Sequence, residues 1–184
     1  MMMKRREILR SGLFLAGAAA LAPSVPAWAF AEPNVRRLSF VNVHTGEASP
    51  EIAYWENGAY VPEALAAANH SLRDWRNNKV HEIEPRLLDL LSALRDRLGT
   101  QERVQVISGY RSPETNAMLH ARSGEVSSTS LHMLGHAIDI HLPGVELTRL
   151  RDAAQSLAIG GVGYYPVSNF VHVDVGPVRT WVGT

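Results

Sequence analysis

Thirteen residues from Ser130 to Leu142, Ser-Leu-His-Met-Leu-Gly-His-Ala-Ile-Asp-Ile-His-Leu, constrain this chain more than any other stretch. From Ala137 the pattern alternates. Ile138, Ile140 and Leu142 point one way and Ala137, Asp139 and His141 the other, as successive side chains of a strand do. One face suits a core; the other presents a carboxylate beside an imidazole. Gly135 lets the chain turn ahead of the strand, and such a turn brings His132 back beside Asp139. Phe170 to Gly176 repeats the design, with Val171, Val173 and Val175 on one face and Phe170, His172 and Asp174 on the other. If the two strands pair, their polar faces converge. Imidazole nitrogen and carboxylate oxygen are good zinc ligands, and a catalytic zinc keeps three protein ligands with one open position. The pattern predicts a metal on His132, Asp139 and His172, while spacing alone leaves His136, His141 and Asp174 as alternative ligands.

The rest of the chain reads as a scaffold for these strands. Val35 to Val43 and Glu51 to Trp55 predict a hairpin around the turn His44-Thr45-Gly46-Glu47, with His44 at the surface or stabilising the turn. Helices are expected over Pro62 to Trp75, Pro85 to Leu98, Ser112 to about Ala121, and Glu146 to Ala158. In the second of these, Leu87, Leu88, Leu91, Leu94 and Leu98 form the apolar stripe and Gly99 the stop. Its charges Arg86, Asp89, Arg95, Asp96 and Arg97 read as a solvated face. Trp55 and Trp75 read as core or groove wall. Val104 to Ile107 is a short buried strand that runs into Ser108-Gly109-Tyr110-Arg111-Ser112, where Arg111 can reach into a cleft and pair with a carboxylate or an oxyanion. Gly124 to Thr129 is small and polar, a loop suited to a cleft rim. Gly160-Gly161-Val162-Gly163 lacks the lysine and following helix of a phosphate loop, so its glycines are expected to admit a close neighbour. Alternating strands and separate helices give an α+β class, a small antiparallel sheet flanked by helices.

Composition narrows the chemistry. With 184 residues and 46% hydrophobic content the chain can bury one core, so residues 32–184 read as a single domain. Lys+Arg and Asp+Glu both number 18, which gives no bulk charge to favour a nucleic acid. Absence of cysteine excludes a lipid-anchored cysteine, a thiol nucleophile, a thiolate metal site and any disulfide. Residues 1–31 read as a targeting segment. Arg5-Arg6 precedes an apolar run from Leu13 to Ala22, and Ala27-Trp28-Ala29 or Ala29-Phe30-Ala31 offers a cleavage site. The run is about ten residues where a bilayer needs about twenty, so cleavage without stable membrane insertion is expected. The twin arginines suggest the Tat route.

Ser130-x-His132-x-x-Gly135-x-Ala137-x-Asp139 resembles in full the S-x-H-x-x-G-x-A-x-D signature of zinc D-Ala-D-Ala metallopeptidases, a group related in fold to the hedgehog domain. Asn42 to Glu47, Ile107 to Ser112, Gly160 to Pro166 and Asn169 to Asp174 resemble the MepK-type murein endopeptidases of Gram-negative bacteria. The likeness covers nearly all the chain after the leader. It implies that His132, Asp139 and His172 bind zinc, and that Arg111 binds substrate or stabilises the transition state. Ser130 and Tyr110 are further expected substrate contacts. It further implies a periplasmic enzyme that cuts cross-links between peptidoglycan stem peptides, preferring those between two meso-diaminopimelate residues; a monomer is expected.

Zinc hydrolysis also calls for a general base outside the metal's ligands. Carboxypeptidase relatives carry a Glu three residues before the last His ligand; here that position is Asn169. Another endopeptidase branch has a His two residues before it; here that is Phe170. Asp174 and His141 remain as expected bases, Asp174 ahead, and either can instead orient a ligand. A D,D- or L,D-carboxypeptidase, or a zinc-containing domain that binds peptidoglycan without hydrolysis, are the alternatives.

Overall fold

The structure, a computed structural model, describes residues 34–123 and 126–184. The leader, with its twin arginines and cleavage sites, lies outside these residues, as do Gly124 and Glu125 of the expected rim loop. Among the described residues no helix is long and apolar enough to cross a membrane.

The architecture is α+β. Strands β1 (Val35–Leu38), β3 (Ile52–Glu56) and β4 (Ala59–Tyr60) form a three-stranded antiparallel sheet in the order β1-β3-β4. A larger sheet of six strands runs β2-β5-β6-β8-β7-β9, built from β2 (Phe40–Asn42), β5 (Val104–Ser108), β6 (Ala137–His141), β7 (Gly161–Tyr165), β8 (Phe170–Asp174) and β9 (Arg179–Val182). It is larger and more mixed than the sequence pattern suggests. Its centre is antiparallel, but β2 joins β5 and β9 joins β7 in parallel. The expected first strand also divides at Ser39. Its first half pairs with β3 as a hairpin, and its second half crosses to the larger sheet. Leu38 and Phe40 are both buried, so the same apolar residues serve two sheets.

Helix α2 (Pro85–Leu98) runs where its leucine stripe places it. Leu87, Leu88, Leu91 and Leu94 are at most 1% exposed, and Gly99 ends the helix in a left-handed conformation at φ 66°. Burying each leucine contributes about 1.5–3 kcal/mol of transfer free energy. Two of its charges face inward, Asp89 half-buried and Arg95 buried. Arg95 is buried and donates to the carbonyls of Arg37 and Gln101, and Asp89 accepts from Arg36, Tyr54 and Tyr60. They tie the helix to the small sheet because polar groups taken out of water need partners. Burial, with Asp89 adjacent, pushes the Tyr60 hydroxyl up to about 12. Helix α4 (Leu147–Leu157) packs beside α2 and against β7 and β8.

Helix α1 (Pro62–Ser71) stops four residues short of Trp75. Asp74 explains the break. Its carboxylate, 1% exposed, accepts from the Arg76 N–H at 3.1 Å and the Ser112 N–H at 2.9 Å, fixing a turn in place of a further helical turn. Short polar side chains that bond nearby backbone compete with helix in this way. Trp75 is partly buried and stacks on His44, whose Nε2 lies 3.0 Å from the Ile107 carbonyl oxygen. The turn holds the loop between β5 and α3 (Pro113–Arg122), where Tyr110 N–H donates to Leu72 O at 2.8 Å and Asn77 donates to the Ser112 hydroxyl at 2.7 Å.

Burial raises the Asp74 pKa, but bonds from Thr115, Ser112 and Arg76 outweigh it and hold it below the usual carboxylate range. Its contribution to stability is therefore complete above the unfolded-state pKa and is lost as pH falls through the lower folded value. Asp74→Ala is expected to cost about 3 kcal/mol, since it leaves buried N–H donors without an acceptor. The cost should be smaller in acid, by the part that ionisation of Asp74 supplies. Urea melts of both proteins at pH 7 and pH 3 check this; an equal difference at the two pH values would contradict it.

Candidate metal centre

One row of residues across the large sheet builds the site. Pairing registers Ser108 with Asp139, Asp139 with His172, His172 with Gly163, and Gly163 with Trp181. His132 enters from a one-turn 3-10 helix, Leu131–Leu134, that precedes β6. Ser130 caps that turn by accepting from the His132 N–H, and Gly135 closes it at φ 70°. A side chain at Gly135 would also collide with the Glu82 carbonyl, so glycine is required twice over.

Three ligand atoms converge. His132 Nε2 lies 3.2 Å from Asp139 Oδ1, His172 Nδ1 lies 2.8 Å from the same oxygen, and the two nitrogens are 3.2 Å apart. A tetrahedral ion with bonds of about 2.0–2.1 Å separates its ligand atoms by roughly 3.3 Å, close to this triangle. His132, Asp139 and His172 are 1%, 2% and 8% exposed.

Each ligand is held from behind. His132 Nδ1 is 2.7 Å from the Gly109 carbonyl, to which it donates, leaving the Nε2 lone pair for a cation. His172 Nε2 is 3.1 Å from Asp174 Oδ2, leaving Nδ1 for the cation. Arg111 pairs with Asp139 Oδ2 and is anchored by Nε to Ser108 Oγ at 2.8 Å, while its own N–H donates to the His132 carbonyl at 3.1 Å.

Electrostatics favour positive charge at the centre. Burial keeps His132 neutral, pushing its pKa down to about 4. Burial opposes charge on Asp139 too, yet His132 and Arg111 hold its carboxyl well below the usual range. Burial also acts against a charged His172, but the bonds to Asp139 and Asp174 prevail and raise its pKa. The neutral imidazole, the permanent carboxylate and the second imidazole between two carboxylates form a donor set that fits a divalent cation.

Asp174 does not sit as a free base. Its side chain is fully buried and accepts from Gly161 N–H at 2.9 Å, Gly176 N–H at 2.8 Å, His172, and both terminal nitrogens of Arg179 at 3.2 and 2.7 Å. Burial raises its pKa, but these bonds drive it far below the usual carboxylate value. It therefore meets His172 at Nε2, on the side of the ring away from the three converging atoms. His141 lies one row away, with Nδ1 3.2 Å from Gln105 Oε1, and is not among the residues that line the cleft. Tyr110 stacks on His81 at 4.6 Å and is also outside the cleft wall. Ser130 and Arg111 do line it.

The cleft over His132, Asp139 and His172 has a volume of about 500 Å³. Ser127, Thr129 and Ser130 line one part of its wall and Tyr165, Phe170 and Trp181 another, with Arg179 beside Trp181. The glycines of the Gly-Gly-Val-Gly run admit this wall. A side chain at Gly161 would strike both Arg179 and Asp174, and one at Gly163 would strike Trp181.

A sequence model of the family described as peptidoglycan L,D-endopeptidase MepK matches residues 30–181. The peptidoglycan L,D-endopeptidase MepK of Escherichia coli K12 is 47% identical over 178 residues, 96% of each chain. The probable peptidoglycan L,D-endopeptidase MepK of Haemophilus influenzae is 41% identical over 182 residues, covering 98% of this chain and 96% of that one.

The chain belongs to the MepK family. Arg179, Trp181, Ser108 and the Gly109 carbonyl are site components that the sequence pattern does not single out. Arg179 lies five residues past Asp174, beyond the Gly176-Pro177 turn, so only the parallel pairing of β9 with β7 brings it back. If Asp174 orients His172 through Nε2, Asp174→Asn should weaken zinc binding about 10- to 100-fold with the fold kept. Chelator competition alongside a thermal melt reads this; unchanged affinity would contradict the role.

Proposed function

We propose that the chain is a zinc-dependent murein endopeptidase. It acts as a monomer in the periplasm after export, with the Tat route favoured by Arg5-Arg6, and hydrolyses peptide cross-links between peptidoglycan stem peptides. Links between two meso-diaminopimelate residues are the preferred substrate. The observation that carries the reading is a buried His-Asp-His triangle of tetrahedral dimensions, opening on a polar cleft, in a chain of the MepK family.

His132 Nε2, Asp139 Oδ1 and His172 Nδ1 would hold the zinc. When bound, the ion supplies Lewis acidity, polarising a carbonyl and lowering the pKa of water. The chain's own groups do the positioning. Gly109 O and Asp174 lock the two imidazoles in the tautomers that ligation requires. Arg111 takes up the second oxygen of Asp139 and, on the cleft wall, sets a guanidinium where charge grows on the scissile carbonyl oxygen. Partial burial removes water that would weaken that interaction. Asp174, saturated by donors, orients rather than transfers protons.

Mass spectrometry of cross-linked muropeptide dimers incubated with the zinc-loaded chain tests the reading. Conversion of dimer to monomers, abolished by chelator and by His132→Ala, is expected. Arg111→Ala should lower kcat about 100-fold or more. Release of a terminal D-Ala from intact dimers would favour a carboxypeptidase, and retention on sacculi without product a binding domain; either outcome contradicts the endopeptidase.

A further inference from the structure

The geometry points to Arg179 as the receptor for a substrate carboxylate on the leaving-amine side of the scissile bond. This rests on the endopeptidase reading of the site. The two guanidiniums of the cleft wall flank the metal ligands on opposite sides: Arg111 on the β5 side, beside Ser108, and Arg179 on β9, at the other end of the sheet. Arg111 spends Nε on Ser108 and one terminal nitrogen on Asp139.

Arg179 is placed differently. Its side chain is 44% exposed and lines the cleft, while its partner Asp174 is 0% exposed, so the edge that meets Asp174 is the buried one. The buried edge is fixed by Asp174 Oδ1 and Oδ2 and by the Pro177 carbonyl at 3.0 Å, and the guanidinium sits 5.1 Å from the Trp181 ring centroid. Nothing among the described residues accepts from its Nε. A planar fork held at one edge loses little freedom when its other edge takes a carboxylate.

The cleft lining supports an anionic ligand. Among the described residues its side chains include two arginines and one carboxylate, and that carboxylate, Asp139, would be a metal ligand. A diaminopimelate cross-link supplies the match. The carbon bearing the leaving nitrogen also carries a free carboxylate when the link runs through an α-amino group. An arginine beside the third metal ligand is placed to hold that carboxylate while Arg111 serves the carbonyl side.

The test uses two dimers identical except that this carboxylate is free in one and amidated in the other, with the full zinc-loaded chain. Wild type should favour the free acid by about 10- to 100-fold in kcat/KM, carried mainly by KM. Arg179→Ala should bring the two substrates within about twofold, and Arg179→Lys should restore part of the preference. Zinc content and melting temperature are measured on each variant. Equal turnover of the two dimers by wild type, or an equal proportional loss on both in Arg179→Ala, would overturn the proposal and leave Arg179 only as the counter-ion of Asp174. If wild type cleaves neither dimer, the endopeptidase reading fails on its own. Calorimetric binding of the same two dimers then decides, tighter binding of the acid supporting the Arg179 receptor and equal binding rejecting it.

Discussion

Two imidazoles and a carboxylate packed within about 3 Å, almost wholly out of water, are costly for a protein to keep. The rest of this fold serves that cluster. Adjacent strands place Asp139 and His172 directly opposite each other, where a one-residue slip of either strand would send its residue to the wrong face. Val171, Val173, Ile138 and Ile140, all fully buried, make that slip expensive and so fix the register of the ligands. The hydrophobic pattern and the metal chemistry are two readings of the same alternation.

Behind the ligands a second set of contacts removes their freedom. The Gly109 carbonyl, the Asp174 carboxylate and the Arg111 guanidinium each engage the ligand atom that a cation does not need. These groups are secured in turn by elements remote in sequence: Asp74 grips the Gly109 to Ser112 loop, and Arg179 grips Asp174 across Gly161. Precision at the centre thus depends on a buried turn after α1 and on the edge strand β9. Such outer partners set metal affinity and tautomer as firmly as the ligands do.

Much of this was legible in the amino-acid order. The two alternating strands, the turn at Gly135, the leucine stripe of α2 and its glycine stop are local patterns, and local patterns survive in one dimension. Asp174 shows the limit. Its spacing from His172 places it on that residue's face, but whether it is a base or an orienter depends on four donors supplied by β7, Gly176 and Arg179 in addition to His172. His141 shares the face of Asp139 and still misses the cleft, because one strand step-pair carries it to the next row. The division of the first strand between two sheets, and the parallel return of β9, are long-range choices with no signature in periodicity.

The central claim concerns which atoms meet the ion, and crystallography at the zinc absorption edge addresses it most directly. A single anomalous peak is predicted about 2.0–2.2 Å from His132 Nε2, Asp139 Oδ1 and His172 Nδ1, with His172 Nε2 still bonded to Asp174. A peak elsewhere, or one ligated by His172 Nε2 with Asp174 released, would contradict the account.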